Sequence, residues 1–220
     1  MTERVQKTLS FLTDYFEGGR WFKDHPKDKT YRMEHSIRVA NICREIACKE
    51  GMNEEAAMIA GLLHDLAYGM DTPEGYEWKN HGRDGARIAR TFLESLEMDE
   101  QTLEDICYAI AIHVDDRADF EGRRIPFTET VGDADNIDRF DAYRIYESVR
   151  YQACLEERSY LERLEWLRER LSYLDKLSRI DFATPTATVL WKEKVEFQQQ
   201  FFGRLLAQME HSILSEEEHS

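Results

Sequence analysis

The sequence predicts an all-α protein. Apolar residues recur at steps of three and four, as in Val39, Ile42, Ile46 and in Leu103, Ile106, Ile110. No stretch shows the strong apolar-polar alternation of a half-buried strand. Between the stripes stand residues that start or stop helices, such as Asn53 ahead of Glu54-Glu55 and Gly51 after Glu50.

At 220 residues the chain is long enough for one well-buried core. The expected division is a main domain over residues 1–150 and a helical extension over 151–220, where the composition shifts to long charged helices. Charged residues make up 33% and hydrophobic residues 42%, a globular balance, and no window approaches the roughly 18 apolar residues of a membrane span. The start, Met1-Thr2-Glu3-Arg4-Val5-Gln6-Lys7, lacks the apolar centre of a secretory signal, so the cytoplasm is the expected location and no membrane partner is expected. A formal charge of -15 argues against nucleic acid as a partner, which needs a basic face to neutralise phosphates. Any phosphate-bearing ligand must then be attracted locally. Cys43, Cys48, Cys107 and Cys154 form no CxxC and read as small buried hydrophobes.

In chain order, Ser10 to Phe22 is an aromatic helical segment broken at Gly18-Gly19, and Lys23 to Lys29 reads as a polar loop with His25 in solvent. A helix is expected from Thr30, as its N-cap, to Gly51; His35 stands four residues before Val39 on its apolar stripe and points inward. The next helix starts at Asn53 and runs through Ile59, Leu62, Leu63 and Leu66 to Gly69, carrying His64 and Asp65 in its last turns. After a loop over Met70 to Asn80, a helix opens at His81, with Gly85, Ile88 and Phe92 on its stripe. His113 extends the stripe of Leu103, Ile106 and Ile110. The run from Val131 enters another helix in which Asp135 and Asp138 share a face. Leu161, Leu164, Leu167, Leu171 and Leu174 make one late seam and Phe197, Phe201, Leu205 and Met209 another, packing on each other, on the main body or across a homodimer interface.

Of seven histidines, four fall on apolar faces of successive helices, together with one His-Asp doublet inside an apolar run. A lone inward histidine is ordinarily a satisfied core residue. The set shares a simpler explanation: neutral imidazoles and carboxylates together suit a divalent metal.

These residues resemble the HD superfamily of metal-dependent phosphohydrolases. Its ordered signature of a histidine, an HD doublet, optional histidines and a final aspartate is matched by His35, His64-Asp65, His81, His113 and Asp135, in the local forms Glu34-His35-Ser36-Ile37-Arg38-Val39, Gly61-Leu62-Leu63-His64-Asp65 and Asp133-Ala134-Asp135-Asn136-Ile137-Asp138. The resemblance implies an HD-domain helical bundle and a cofactor of one or two divalent ions, drawn from Mn, Fe, Co, Zn, Ni or Mg. His35, His64, Asp65 and Asp135 would hold one ion. His81 and His113 match positions that either complete a second site, with Asp65 bridging, or face a substrate phosphate, which makes Asp65, His81 and His113 the expected catalytic residues. By spacing, Arg38 lies one turn from His35 and Arg139 one turn from Asp135, near enough to clamp phosphate. Asp138 has two readings, orienting a ligand or covering the helix surface. Some members carry a lysine shortly after the doublet; here Leu66-Ala67-Tyr68-Gly69 follows, which makes Tyr68 the expected substrate contact in its place. The expected activity is hydrolysis of a small phosphate ester such as a nucleotide. The same ligand set would also serve a di-iron oxygenase or a non-catalytic metal and nucleotide sensor.

Overall fold

Thr2 begins the first helix, its hydroxyl accepting from the Val5 amide while Glu3 sits at the positive end of the helix dipole. The computed structural model describes residues 1–72, 75–115, 120–146 and 159–211, and among these there is no strand. Helix α1 (Glu3–Gly18) buries Val5, Thr8, Leu12 and Phe16, a single helical face. After Gly19 come the short α2 (Arg20–Asp24) and then α3 (Pro26–Lys49).

The expected polar loop over Lys23 to Lys29 is therefore mostly helix, and Thr30 lies inside α3 instead of capping it. The reason is Pro26, which occupies the first helical position where its missing N–H costs nothing. His25 is exposed, as expected, and stacks on Trp21 at 3.6 Å between ring centroids. At the other end Gly51 takes φ +68°, and the Met52 amide returns to the Ala47 carbonyl at 2.8 Å.

Asn53 caps α4 (Glu54–Leu63) by accepting from the Ala56 amide at 3.0 Å. From Ile59 to Ala67 every residue is buried, which makes this the central stretch of the core. Helix α4 packs on α3, α1 and α6. Its closest approach to α3 is at Gly61, where a Cβ would stand 2.7 Å from the Ala40 Cα, so only glycine fits. The helix stops at Leu63, short of the expected Gly69, and a 3-10 turn over Leu66–Gly69 replaces its last turns.

A second 3-10 turn, Trp78–Asn80, leads into α5 (His81–Glu94), and α6 (Glu100–Ile112) packs beside it under an Asp99 cap. The buried face of α5 is Gly82, Gly85, Ala86, Ala89 and Leu93; Ile88 and Phe92 of the expected stripe lie at its edge, half-buried. Pro126 begins α7 (Pro126–Arg139), five residues before the expected start at Val131, and this helix buries Val131, Ala134, Asp135, Ile137 and Asp138.

The chain divides into two compact units, Met1–Asp138 with Ala183–Ala187, and Arg139–Phe182 with Thr188–Ser220. The expected change near residue 150 lies outside the described residues. Within the second unit, a capping box of Ser159 and Glu162 starts α8 (Tyr160–Leu177), which buries Leu164, Leu167 and Leu174. Leu161, expected in that seam, is 71% exposed at the first turn. On the stretch of α9 (Pro185–Glu210) that belongs to this unit the buried residues are Trp191, Val195, Gln198 and Phe202, so the seam runs beside the expected one and leaves Phe197 47% exposed. Fully buried Gln198 explains the shift: its amide donates to the Phe140 carbonyl at 2.7 Å and its carbonyl accepts from Arg170 at 2.6 Å. Cys43 and Cys107 are buried, Cys48 is exposed against expectation, and Cys154 lies outside the described residues.

Candidate metal centre

Five elements of the first unit deliver one side-chain cluster. His35 is on the buried stripe of α3, and Asp135 is on the buried face of α7. His64 follows the last residue of α4, His113 follows the last residue of α6, and His81 is the first residue of α5. His64 keeps helical angles, whereas Asp65 moves to φ -97°, ψ 18°, at the break before the 3-10 turn.

Each imidazole is aimed by its Nδ1. That atom of His64 donates to the Gly61 carbonyl at 2.8 Å and that of His113 to the Ile110 carbonyl at 2.7 Å; that of His81 donates to the Trp78 carbonyl. His35 donates instead to a side chain, Asp138 Oδ2, at 2.7 Å. With Nδ1 holding the proton in all four rings, Nε2 is the ligating nitrogen, and all four Nε2 atoms face inward.

Asp65 stands between them. Its Oδ2 lies 3.6 Å from Nε2 of both His35 and His64, and its Oδ1 lies 3.4 Å from Nε2 of His81 and 3.8 Å from that of His113. Asp135 Oδ1 lies 3.1 Å from His35 Nε2. Ligand atoms of His35, His64 and Asp135 fall within 4.8 Å of one another, and so do those of His64, Asp65 and His113. The Nε2 atoms of His35 and His64 approach to 3.3 Å, and those of His81 and His113 to 3.1 Å. Two neutral rings whose Nδ1 atoms already donate would oppose lone pairs at that distance, so something positive belongs between them. Two buried carboxylates beside them fit a divalent cation, and these residues therefore suit one.

The titration behaviour agrees. Burial alone would lower His35, but hydrogen bonds to Asp135 and Asp138 outweigh it and hold the ring at about 9, so without a metal a proton takes the positive place. Burial pushes His64 down to about 4. Burial would raise Asp65 and Asp135, but the surrounding histidines, with Arg32 beside Asp65, hold both carboxyls below the usual range.

The sequence model of the HD domain matches residues 32–143, just over half of the chain. The chain belongs to the HD domain family. Two solved HD structures share the fold of this HD protein: a predicted HD superfamily hydrolase from an uncultured Thermotogales bacterium (TM-score 0.63, 22% identity, covering 92% of this chain and 91% of that one) and an HD-superfamily hydrolase from Bacillus thuringiensis (TM-score 0.63, 19% identity, 94% and 97%). Among curated proteins, Ribonuclease Y of Oleidesulfovibrio alaskensis is 38% identical over 85 residues and that of Syntrophotalea carbinolica 36%. The matched segment covers 38% of this chain and only 14% of either relative.

The HD fold thus assembles all six residues expected to ligate metal, and the other expected contacts fall as follows. Arg38 is engaged by Asp138, its Nε and Nη2 donating to the two carboxylate oxygens at 2.7 and 3.1 Å. Arg139 is exposed at the last residue of α7. Tyr68 is half-buried, its ring stacked on Trp78 at 4.8 Å and edge-on to His81 at 5.2 Å. Asp138 resolves to a buried orienting partner of His35. Sequence reasoning passed over Arg32, whose Nη1 donates to Asp65 Oδ2 at 2.6 Å. It stands three residues before His35, a helical spacing that could have flagged it.

Proposed function

We propose that this protein is a metal-dependent phosphohydrolase that cleaves a small phosphate ester with water as the nucleophile. One observation carries the reading: the Asp65 carboxylate turns one oxygen toward the His35–His64 pair and the other toward the His81–His113 pair. A carboxylate so placed could serve divalent ions held by either histidine pair, and such ions would supply the charge that in-line displacement at phosphorus needs. A bound divalent ion supplies a water that ionises near neutral pH and takes up charge on the phosphoryl oxygens.

The chain's own residues do the rest. Backbone carbonyls of Gly61, Trp78 and Ile110 fix three rings, so the ligand nitrogens are in place before substrate arrives. Asp138 steers the fourth, and Arg38 holds Asp138. The hydrolase names of the two structural neighbours accord with this reading. The Ribonuclease Y relatives raise RNA as a rival substrate, but a chain of formal charge -15 sets a repulsive field for a polynucleotide, which favours a small ester.

The test is metal analysis of protein purified without chelator, coupled to a phosphate-release screen over nucleotides, simple esters and a short RNA. The expected result is one or two ions per chain and release from a small ester. Asp65→Ala should abolish that release while leaving the helical circular dichroism unchanged. Cleavage of RNA alone would overturn the substrate class. Oxygen consumption by iron-loaded protein without phosphate release would replace the reaction altogether.

A further inference from the structure

We infer that Arg32 is the phosphate anchor of this centre, in the place expected for Arg38 or Arg139; the inference rests on the phosphohydrolase reading. The guanidinium lies directly beside the ligating atoms. Its Nη1 donates to Asp65 Oδ2, the same oxygen that faces Nε2 of His35 and His64. The side chain is 24% exposed, and its charged group lies 3.5 Å above the face of the Tyr68 ring, which is backed in turn by Trp78. Cation–π contact and stacking hold the fork flat and keep it from swinging into solvent.

What singles Arg32 out is how little of it is used. A guanidinium carries five N–H donors. Among the described residues, one of them, on Nη1, meets a protein acceptor, and Nε and Nη2 meet none. Arg38 provides the contrast, because its Nε and Nη2 together grip Asp138 in a structural pair. Arg83 likewise lies on Asp115 at 3.0 Å. A largely buried cation with most donors unfilled, at the edge of a metal cluster, is built for an acceptor that comes with the ligand. A tetrahedral oxyanion matches the fork with two parallel bonds. In a chain of net charge -15, such a local cation is also what draws an anionic ester to the centre. Tyr68, expected to touch substrate, becomes the shelf under the anchor.

The test uses the full chain loaded with metal and inorganic phosphate as the probe. Phosphate affinity is measured by calorimetry, and KM and kcat are measured on whichever ester the wild type turns over. Arg32→Gln should weaken phosphate binding and raise KM by about 10- to 100-fold, with metal content unchanged, since hydrogen bonds to a charged group are at stake. Arg32→Lys should recover part of the loss, keeping the charge without the fork. Loss of metal in Arg32→Gln at unchanged helical content would show that the residue serves only Asp65, and would overturn the inference. So would unaltered phosphate affinity and KM with metal retained, or a wild type that binds no phosphate. A wild type that binds phosphate through Arg32 but hydrolyses no ester sinks the phosphohydrolase reading and leaves the anchor standing. One that hydrolyses an ester as well after Arg32→Gln does the reverse.

Discussion

Replacing Asp138 by asparagine tests how far one buried carboxylate governs the metal centre. Its Oδ2 accepts from His35 Nδ1 at 2.7 Å and from Arg38 Nη2 at 3.1 Å, and its Oδ1 accepts from Arg38 Nε at 2.7 Å. An amide nitrogen cannot accept, so the amide must turn its oxygen to the Oδ2 position and leave Arg38 Nε facing another donor. The His35 tautomer survives, but the ring loses the negative charge that makes it a strong ligand. Losing such an orienting partner weakens metal binding by about 10- to 100-fold. The isosteric change belongs at the lower end, about tenfold or about 1.4 kcal/mol. Asp138→Ala, which also strands Arg38, belongs at the upper end. Proton competition modulates the loss: the same carboxylate helps hold His35 at about 9, so at neutral pH the wild type must expel a proton that the variant holds less tightly. The deficit of the asparagine variant should therefore widen as pH rises toward about 9. Chelator-competition titrations at neutral and alkaline pH measure it. A deficit that stays equal at both pH values, or narrows with rising pH, would refute the reasoning.

Without metal the protein should lose stability as pH rises from 6.5 through 9, while at lower pH two buried groups oppose each other, because burial raises Asp133 to about 7 and its stabilising share is lost as pH climbs from 3.8 through 7. His35, raised to about 9, gives stability that is complete below 6.5 and lost as pH climbs through 9; His64, lowered to about 4, gives stability that is complete above 6.5 and lost as pH falls through 4. Each histidine is worth about 3 kcal/mol, and melting in chelator should fall from pH 6.5 to 9, whereas a climb over that range would contradict it. Adding a divalent ion should raise the melting temperature of the wild type, and by less in Asp65→Ala, which keeps only the His35, His64 and Asp135 group; an equal rise in both would contradict it. Gly61→Ala should lower the urea midpoint by about 1 to 3 kcal/mol of stability, since its new Cβ would meet the Ala40 backbone at 2.7 Å; an unchanged midpoint would show that α3 and α4 separate freely.

Helix type is legible from spacing, whereas the candidate ligand set is legible only as an ordered pattern that resembles a family. His35, His81 and His113 stand on apolar stripes and His64-Asp65 interrupts an apolar run, but Asp135 sits in an acidic run that spacing alone would leave at the surface, and only the ordered set singles it out. Helix ends were less so. Leu63, Leu66 and Ala67 keep the same apolar rhythm through a 3-10 turn as through an α-helix, so nothing in the pattern marks the stop after Leu63. In the second unit the pattern points to the neighbouring seam because Gln198 looks like a surface residue, whereas its burial follows from partners, Phe140 and Arg170, far away in the chain. Arg32 and Asp138 were hard to assign for the same reason: an arginine or an aspartate on a helix declares its purpose only when the opposite partner is known.

The interruption after Leu63 has a consequence for the doublet itself. Neighbouring side chains on an unbroken helix diverge by about 100° and cannot grip one ion. Here His64 keeps helical angles but Asp65 leaves them, its Oδ2 lies 3.6 Å from His64 Nε2, and the two consecutive residues could hold one ion. A substitution that lets the coil carry on through Asp65 would part those two side chains without altering a single donor atom, so the doublet encodes a place to stop as much as a pair of candidate donors.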